Sequence, residues 1–238
     1  MTRITPQFTP VVGAEIFDLQ PDYSAISVVA DGVDNIVHHP AVDRYVEESM
    51  TRPAPPSWRE GHVEAWRTAY RAFGAKPQRT PCSVDALMMR LDKDGRLPTI
   101  NAVVDLYNAI SVSYAIPVGG ENIAAYIGNP HLKRTSGVEI FDTMMQGLPV
   151  AEAVPAGEVV WADDSGVTCR RWNWRQGKRT RIDLQTRQAW FVLERLEPMP
   201  LDAAMEAAVA LMGTLRQISP AAGLTAHLIN RMGTTEFS

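Results

Sequence analysis

Three short polar side chains recur along one apolar stretch of the chain, at positions that a helix would place side by side. Asn101, Asp105 and Asn108 are separated by four and three residues, and these spacings share one face of an α-helix. A solvent-exposed face usually carries Glu, Lys, Gln or Arg, which are better helix formers. Short polar side chains in a row therefore indicate hydrogen bonding at a fixed place, either to the backbone in a structural role or to a ligand.

A second segment combines positive charge with aromatic rings. Six basic residues fall between Arg170 and Arg181, and Trp172 and Trp174 lie among them. Arginine and lysine neutralise phosphates and tryptophan stacks on unpaired bases, so the segment favours a nucleic acid or another anionic ligand. In the structural alternative, the tryptophans pack in the core and the arginines pair with carboxylates.

If this segment is a strand, it presents two faces and then turns. One face carries Cys169, Arg171, Asn173 and Arg175, and the other carries Arg170, Trp172 and Trp174. A hairpin turn over 176–178 would follow, and a second strand would return over 180–184.

Two smaller motifs accompany these segments. The loop with Gly119, Gly120 and Glu121 can bring backbone amides close to a ligand, but it lacks the residue order of a phosphate-binding loop. Asp163 ends a short predicted strand, where a carboxylate suits either a site or a turn.

The composition restricts the class of protein. The chain has 238 residues, 45% of them hydrophobic, which suits one large domain or two small ones. Its net charge of −4 argues against a general polyanion binder, so a nucleic-acid partner requires a local basic patch. Two cysteines without metal-ligand spacing, no signal peptide and no long apolar span predict a reduced, cytoplasmic protein without membrane contact. The adjacent His38 and His39 match no metal motif, and we predict no metal.

Periodicity and turn residues predict the order of elements. Helices are predicted at the end of 1–50, after a capping Ser57, over Val84–Leu91, from Pro98 to Tyr114, and over Leu201–Gln217. Strands are predicted over Val11–Leu19, Ala25–Val33, Ile123–Ile127, Val138–Phe141, Glu158–Ala162, Thr168–Trp174, Thr180–Leu184 and Ala189–Leu193. This order predicts an α+β fold in which helices flank a mostly antiparallel sheet. We expect one domain over 1–238, with an N-terminal extension (1–55), a core at about 60–200, and a C-terminal helix and tail (201–238).

Five motifs in order resemble one known family. They are Ser83–Leu87, Leu97–Ser111, Pro117–Gly120, Pro155–Asp163 and Cys169–Arg175. Their succession resembles the B3/B4 editing domain of the bacterial phenylalanyl-tRNA synthetase beta subunit, and the last motif is typical of free-standing members. The resemblance extends to no catalytic or anticodon-binding part of the synthetase.

The resemblance implies hydrolysis of the ester that joins a wrong amino acid to the 3′ end of a tRNA, without a metal or an organic cofactor. In the synthetase this domain removes tyrosine from phenylalanine tRNA, and one free-standing branch is directed at arginine tRNA charged with canavanine. The expected partners are the 3′ acceptor end of a tRNA and the attached amino acid. An activated ester needs only a positioned water and oxyanion stabilisation, so no nucleophilic Ser or Cys is required.

With this chemistry, the candidate residues receive roles. Asn101, Asp105 and Asn108 would contact the amino acid, and the backbone amides of Gly119 and Gly120 would stabilise the oxyanion. A guanidinium-like side chain would pair with Asp105, Glu121 or Glu139, and Asp163 is a further candidate at the site. Contacts with the tRNA are expected from Arg170, Arg171, Trp172, Asn173 and Arg175. No side chain is assigned as the group that activates water.

Two interpretations from other classes stay open at this point. One is a module that binds tRNA or a nucleotide without chemistry, because no residue stands out as a general base. The other is a small-molecule enzyme unrelated to tRNA, which rests only on the polar helix face.

Overall fold

The chain folds into six α-helices and two β-sheets within the described residues. The computed structural model describes residues 8–51, 54–145 and 147–237. Its helices are α1 (Ala14–Leu19), α2 (Pro40–Thr51), α3 (Arg59–Ala72), α4 (Ser83–Asp94), α5 (Ala102–Tyr114) and α6 (Leu201–Ile218). Its strands are β1 (Val11–Val12), β2 (Ser24–Asp31), β3 (Val118–Asn122), β4 (His131–Arg134), β5 (Ile140–Met145), β6 (Leu148–Ala153), β7 (Val159–Asp163), β8 (Gly166–Arg170), β9 (Arg175–Gln176), β10 (Gln188–Arg195), β11 (Gly223–Asn230) and β12 (Gly233–Phe237).

The two sheets are mostly antiparallel. The seven-stranded sheet has the order β1-β4-β7-β8-β5-β6, with β9 paired to β8, and the five-stranded sheet has the order β12-β11-β2-β10-β3. Among the described strands, the parallel pairs are β1 with β4 and β5 with β8. The predicted fold class, an α+β fold with helices flanking mostly antiparallel strands, is confirmed.

Strand β10 is apolar on both faces because both faces are covered. Phe191 and Leu193 pack in one core with α2, α5 and α6. Trp190 and Val192 point the other way, into a second core that includes residues of α1, α3, α4 and the seven-stranded sheet. The five-stranded sheet therefore separates two cores.

Helix α3 is anchored by the apolar stripe that the sequence predicts. Val63, Trp66, Tyr70 and Phe73 are all buried in the second core. The predicted cap at Ser57 is wrong, because the helix begins at Arg59 and Trp58 occupies the N-cap without a side-chain hydrogen bond.

Three predicted strands are wrong. The predicted strand Val11–Leu19 contains only β1, and the rest is α1, which buries Ile16 and Phe17 on one side. Over Ile123–Ile127 the chain forms a short 3-10 helix, Ile123–Ala125, because the Asn122 side chain accepts a hydrogen bond from the Ala124 N–H at 3.1 Å. Over Thr180–Leu184 the pairing is an isolated bridge between Arg181 and Glu121.

An early strand and a late strand of the chain pair in the five-stranded sheet. β2 pairs with β11 over seven residue pairs, from Gly223 opposite Asp31 to Ile229 opposite Ala25. β11 and β12 lie in a segment for which the sequence predicts no element. Within the described residues, no helix has the combination of length and apolar character that crossing a bilayer requires.

Candidate active-site cavity

A cavity of about 290 Å³ lies where α4, α5, β3 and β10 meet the turn that follows β8. Its size is close to the lower end of the range for ligand pockets, about 300–1,000 Å³. Six residues predicted for the site line it: Asn108, Gly119, Gly120, Glu121, Trp172 and Asn173.

Glu194, which the sequence analysis did not select, is a buried carboxylate in the wall of this cavity. Its Oε1 accepts hydrogen bonds from the Tyr23 hydroxyl at 2.8 Å and from Trp161 Nε1 at 3.1 Å. Its Oε2 accepts one from Asn173 Nδ2 at 2.8 Å. Burial raises the pKa of Glu194 to about 7, although these neutral donors favour the charged form.

Glu121 is a second buried carboxylate in the same wall. It accepts a hydrogen bond from the Tyr126 hydroxyl, which also lies 3.2 Å from Thr168 Oγ1. Burial raises the pKa of Glu121 to about 7, against the effect of the hydrogen bond from Tyr126.

The strand register places both carboxylates on one face of the five-stranded sheet. Glu121 on β3 lies opposite Trp190 on β10, and Gly119 lies opposite Val192. Trp190, Val192 and Glu194 are two residues apart, so they project from the same side as Glu121. Among the described residues that line the cavity, Glu121 and Glu194 are acidic and Arg90 is basic, so the lining has more acidic than basic groups.

The two glycines of β3 allow side chains of α5 and β10 to lie close to the strand. A Cβ at Gly120 would lie 2.6 Å from Tyr107 Cε1, closer than carbon atoms approach, and one at Gly119 would lie 3.3 Å from Val192 Cγ1. The Gly120 carbonyl accepts a hydrogen bond from Gln176 Nε2 at 2.7 Å. Gly120 is therefore required by the packing of Tyr107.

Of the polar face on α5, one residue reaches the cavity. Asn101 is the N-cap, and its Oδ1 accepts hydrogen bonds from the Val104 N–H and from Asn35 Nδ2, both at 3.0 Å. Asp105 Oδ1 accepts one from the Ile100 N–H at 2.8 Å, and burial raises its pKa. The predicted start at Pro98 is wrong. Because the helix begins at Ala102, Asn101 caps its first turn and Asp105 binds the residue before the cap, whereas Asn108 lines the cavity.

The basic segment turns earlier than predicted. β8 ends at Arg170, and Arg171 and Trp172 have left-handed φ angles of 46° and 67°. The predicted alternation of faces over Thr168–Trp174 is therefore wrong. The turn places Trp172, Asn173 and Trp174 in the cavity wall.

Arg170 is buried in an ion-pair cluster and does not line the cavity. Its Nε and Nη2 donate to the two carboxylate oxygens of Glu158 at 2.8 Å each, and its Nη1 donates to Glu152 at 3.0 Å. These bonds occupy the guanidinium edges that would bind a phosphate.

Arg171 and Arg175 lie beside the cavity, against Trp174. The Arg171 guanidinium carbon lies 4.3 Å from the centre of the Trp174 ring, and that of Arg175 lies 5.9 Å from it. Arg171 is also 3.7 Å from Glu158, and Arg175 donates to Thr143 Oγ1 at 2.8 Å. We call Arg171, Trp174 and Arg175 the arginine–tryptophan rim.

Glu139 and Asp163 stabilise loops away from the cavity. Burial would raise the pKa of Glu139, but hydrogen bonds from Lys133 and from the Ser136 and Gly137 N–H groups lower it to about 2. Burial would also raise the pKa of Asp163. The pKa is nevertheless lowered, because Arg179 donates two hydrogen bonds of 2.8 Å to this carboxylate. Neither carboxylate lines the cavity.

Cys169 lines the cavity, but burial raises its thiol pKa well above the ordinary value, so the thiol is protonated. Within residues 8–51, 54–145 and 147–237, no three His, Cys, Asp or Glu side chains lie close enough together to hold a metal ion.

A larger concavity of about 720 Å³ lies against β2, β11 and β12 of the five-stranded sheet. Its ionisable lining residues are Asp31, His227 and Glu236, and none of these three is buried. The smaller cavity is the stronger candidate, because buried carboxylates of raised pKa are typical of functional sites.

A signal in the sequence could have identified Glu194. Residues 189–193 are apolar at every position, which is typical of a strand covered on both faces. A glutamate that directly continues such a strand is expected to be buried. Ser83, Arg90 and Trp174 also line the cavity and were not among the predicted site residues.

Comparisons with known proteins agree with this fold. The structure is similar to an N-terminal fragment of the phenylalanyl-tRNA synthetase beta subunit from Pyrococcus horikoshii, with a TM-score of 0.54 and 9% sequence identity. The similarity covers 98% of this chain and 55% of that chain, so this protein spans about half of the fragment's length. No curated protein matches the chain. The B3/4 domain matches residues 65–211, which is more than half of the sequence. The chain therefore belongs to the B3/4 domain family.

Proposed function

We propose that this protein is a trans-acting deacylase that hydrolyses the ester between a mischarged tRNA and its amino acid. The observation that carries the proposal is the pair of buried carboxylates, Glu121 and Glu194, in one cavity beside the arginine–tryptophan rim. The membership in the B3/4 domain family and the fold shared with part of a tRNA synthetase support a role connected with tRNA.

In the proposed reaction, the amino acid enters the cavity and the tRNA terminus lies at its mouth. Water adds to the ester carbonyl carbon, the bond to the ribose oxygen breaks, and the ribose oxygen takes up a proton. The ester is already activated, so positioning of water supplies much of the rate enhancement. A metal ion and an organic cofactor are not part of this proposal.

The cavity favours an amino acid whose side chain donates hydrogen bonds or carries positive charge. The Tyr23, Trp161 and Asn173 groups that donate to Glu194 are neutral, so a cationic group of the substrate would supply the counter-charge that these donors lack. A guanidinium-like group, such as that of canavanine on arginine tRNA, would supply both the donors and the charge. Asn108 and Asn173 are further polar contacts in the wall.

The rim would bind the single-stranded end of the tRNA. Trp174 offers a ring on which a base stacks, and Arg171 and Arg175 offer charges for phosphates. The side chains of Arg171 and Arg175 are 24% and 37% exposed, whereas that of Arg170 is 7% exposed. The proposed tRNA contacts therefore exclude Arg170.

The test is incubation with a panel of mischarged tRNAs that includes canavanyl-tRNA for arginine and tyrosyl-tRNA for phenylalanine. We expect release of at least one amino acid, and a loss of about a hundredfold in kcat/KM for Glu194→Gln, which keeps the shape but removes the charge. Val209→Thr, at an exposed position of α6, is the matched control and should deacylate at the wild-type rate.

A non-catalytic tRNA-binding module is the second candidate function. It is favoured by one observation: within the described lining of the cavity there is no histidine, and the Cys169 thiol is protonated. Binding of tRNA without release of any amino acid from the panel would establish this alternative.

A further inference from the structure

Both ends of the Asn173 side-chain amide are hydrogen-bonded, and one of them reaches Glu194 in the cavity wall. Asn173 Nδ2 donates to Glu194 Oε2 at 2.8 Å. Asn173 Oδ1 accepts a hydrogen bond from the Tyr70 hydroxyl at 2.8 Å, and the Ser83 N–H points to the same oxygen at 3.4 Å. Asn173, Tyr70 and Glu194 are all buried, so bulk solvent has little access to these bonds. A chain of hydrogen bonds therefore runs from α3 through the turn after β8 to the cavity.

The partners of the Asn173 amide fix its direction. A backbone N–H is a donor in every state, so Ser83 favours the oxygen of the amide over its NH2 group. Burial raises the pKa of the Tyr70 hydroxyl well above its ordinary value, so the hydroxyl keeps its proton and donates it to Asn173 Oδ1. Turning the amide over would remove the acceptor of this buried proton and would bring the amide oxygen against a carboxylate oxygen of Glu194.

This direction of the amide favours an ionised Glu194. A proton on Glu194 Oε2 would face the NH2 group of Asn173, which can only donate. Trp161 Nε1, which donates to Oε1, is likewise a donor in every state. Burial raises the pKa of Glu194, and the hydrogen bond from Asn173 is the largest effect that opposes this rise.

Other ionisable groups lie around Glu194. Three of them interact with its charge, but burial raises the pKa of each well above the ordinary value, so they are uncharged at neutral pH: Tyr23, Tyr70 and Cys169. Charged groups that line the same cavity are Arg90 and Glu121. Apart from Tyr70, all of these side chains are retained in the variants that follow, so they do not account for a difference between variants.

We infer that Tyr70 is a positioning residue of the candidate site, because it fixes the Asn173 amide so that Glu194 is presented to the substrate as an anion. This inference rests on the proposed function. Tyr70 does not line the cavity, so it acts through Asn173 and does not touch the substrate. It lies in the apolar stripe of α3, where its ring packs 5.3 Å from that of Phe73. The ring of a phenylalanine would pack there equally, and the hydroxyl serves the bond to Asn173.

The first test is the pKa of Glu194 in Tyr70→Phe, measured by carbon-13 NMR of the glutamate side chains, with Glu194→Gln to identify the signal. We expect the pKa to rise by about half a unit, because the amide is then free to turn and accept a proton from Glu194. Tyr126→Phe is the matched control, since that hydroxyl donates to Glu121 and its loss should not raise the pKa of Glu194. An unchanged pKa in Tyr70→Phe, or an equal rise in both variants, would overturn the inference.

A double-mutant cycle shows whether Tyr70 acts through Asn173. We expect Asn173→Ala to raise the pKa of Glu194 by about one unit, because the donor to Oε2 is lost. Adding Tyr70→Phe to this variant should then have no further effect, since the two residues act as one unit. If Tyr70→Phe shifts the pKa equally with and without Asn173, the assignment is wrong.

The pH dependence of deacylation connects this chain of bonds with the reaction. With a tRNA that the wild-type protein deacylates, we expect Tyr70→Phe to lower kcat/KM about threefold at pH 6 and to have little effect at pH 8.5, where Glu194 is ionised in both proteins. An equal loss at both pH values would indicate a structural role and overturn the inference. The NMR titrations need no tRNA. Release of no amino acid from the panel would therefore remove the proposed function, whereas an unchanged Glu194 pKa in an active Tyr70→Phe variant would remove only the role of Tyr70.

Discussion

Two kinds of buried carboxylate occur in this molecule, and they differ in their partners. Glu158 and Asp163 each face an arginine, at 2.8 Å from Arg170 and Arg179 respectively. Glu121 and Glu194 instead accept hydrogen bonds from neutral hydroxyl, indole and amide groups. The pKa of Asp163 is lowered, whereas burial raises the pKa of both Glu121 and Glu194 to about 7.

This difference distinguishes carboxylates that stabilise the fold from carboxylates that are candidates for binding a substrate. A carboxylate paired with an arginine is neutralised within the fold and stabilises the position of its loop or strand. A buried carboxylate with neutral donors lacks a counter-charge, so a proton or a cationic ligand must supply it. Removing an arginine partner, a buried charge or a single neutral donor should have progressively smaller effects.

The largest effect is expected when an arginine is removed from its buried carboxylate. Arg170→Ala removes the arginine that bonds both oxygens of the buried Glu158, and we expect the free energy of unfolding to fall by about 3–5 kcal/mol. Arg175→Ala is the control, because its contact with Glu152 is long, at 3.9 Å, and partly exposed. That change should cost about 1 kcal/mol or less in urea unfolding. Equal losses for the two variants would contradict the distinction.

The second prediction concerns pH. The folded-state pKa of Glu194, about 7, lies above its ordinary value of 4.5, so the folded protein binds this proton more tightly than the unfolded chain. The contribution of Glu194 to the free energy of unfolding is therefore largest below its ordinary pKa of 4.5. This contribution falls by about 3 kcal/mol as the pH rises to about 7.

Glu194→Gln should remove this dependence. Urea unfolding at about pH 5 and about pH 8 is expected to show a smaller loss of stability for the variant than for the wild-type protein. Part of the slope remains, because Glu121 titrates in the same range. If the free energy of unfolding of the variant depends on pH as it does in the wild-type protein, the pKa of Glu194 is the same in the folded and unfolded states.

The smallest effect is expected from a single neutral donor. Tyr126→Phe removes the hydroxyl that donates to Glu121, so the pKa of that carboxyl should rise by about one unit. The shift is measured by carbon-13 NMR of the glutamate side chains as a function of pH. Tyr70→Phe is the control, because the Tyr70 hydroxyl donates to Asn173 and should leave the pKa of Glu121 unchanged.

The site was predicted best where local spacing decides the direction of a side chain. Gly119, Gly120 and Glu121 all line the cavity, but the predicted loop is wrong, because these residues form part of β3 and pair with β10. The polar face of α5 was predicted as one unit, but only Asn108 reaches the cavity. Asn101 and Asp105 instead bond the start of the helix, which the sequence analysis placed at Pro98.

The basic segment shows what periodicity misses. Six cations in an acidic chain predicted an anion-binding surface. Arg170, however, lies opposite Glu158 and Glu152, which are 12 and 18 residues away in the chain, and Arg179 pairs with Asp163. The left-handed conformations at Arg171 and Trp172 then decide which side chains point to the cavity.

The amino-acid order by itself determined the α+β class, the apolar stripe of α3, the closing helix and the family resemblance, because these depend on residues that are near one another in the chain. Only the tertiary structure decided which carboxylates have an arginine partner. Glu194 meets Tyr23, 171 residues away, because β2 pairs with β10, and it meets Trp161 of β7 because the two sheets pack together. Burial and partner choice set the pKa of a carboxylate, and both arise from contacts between distant parts of the chain.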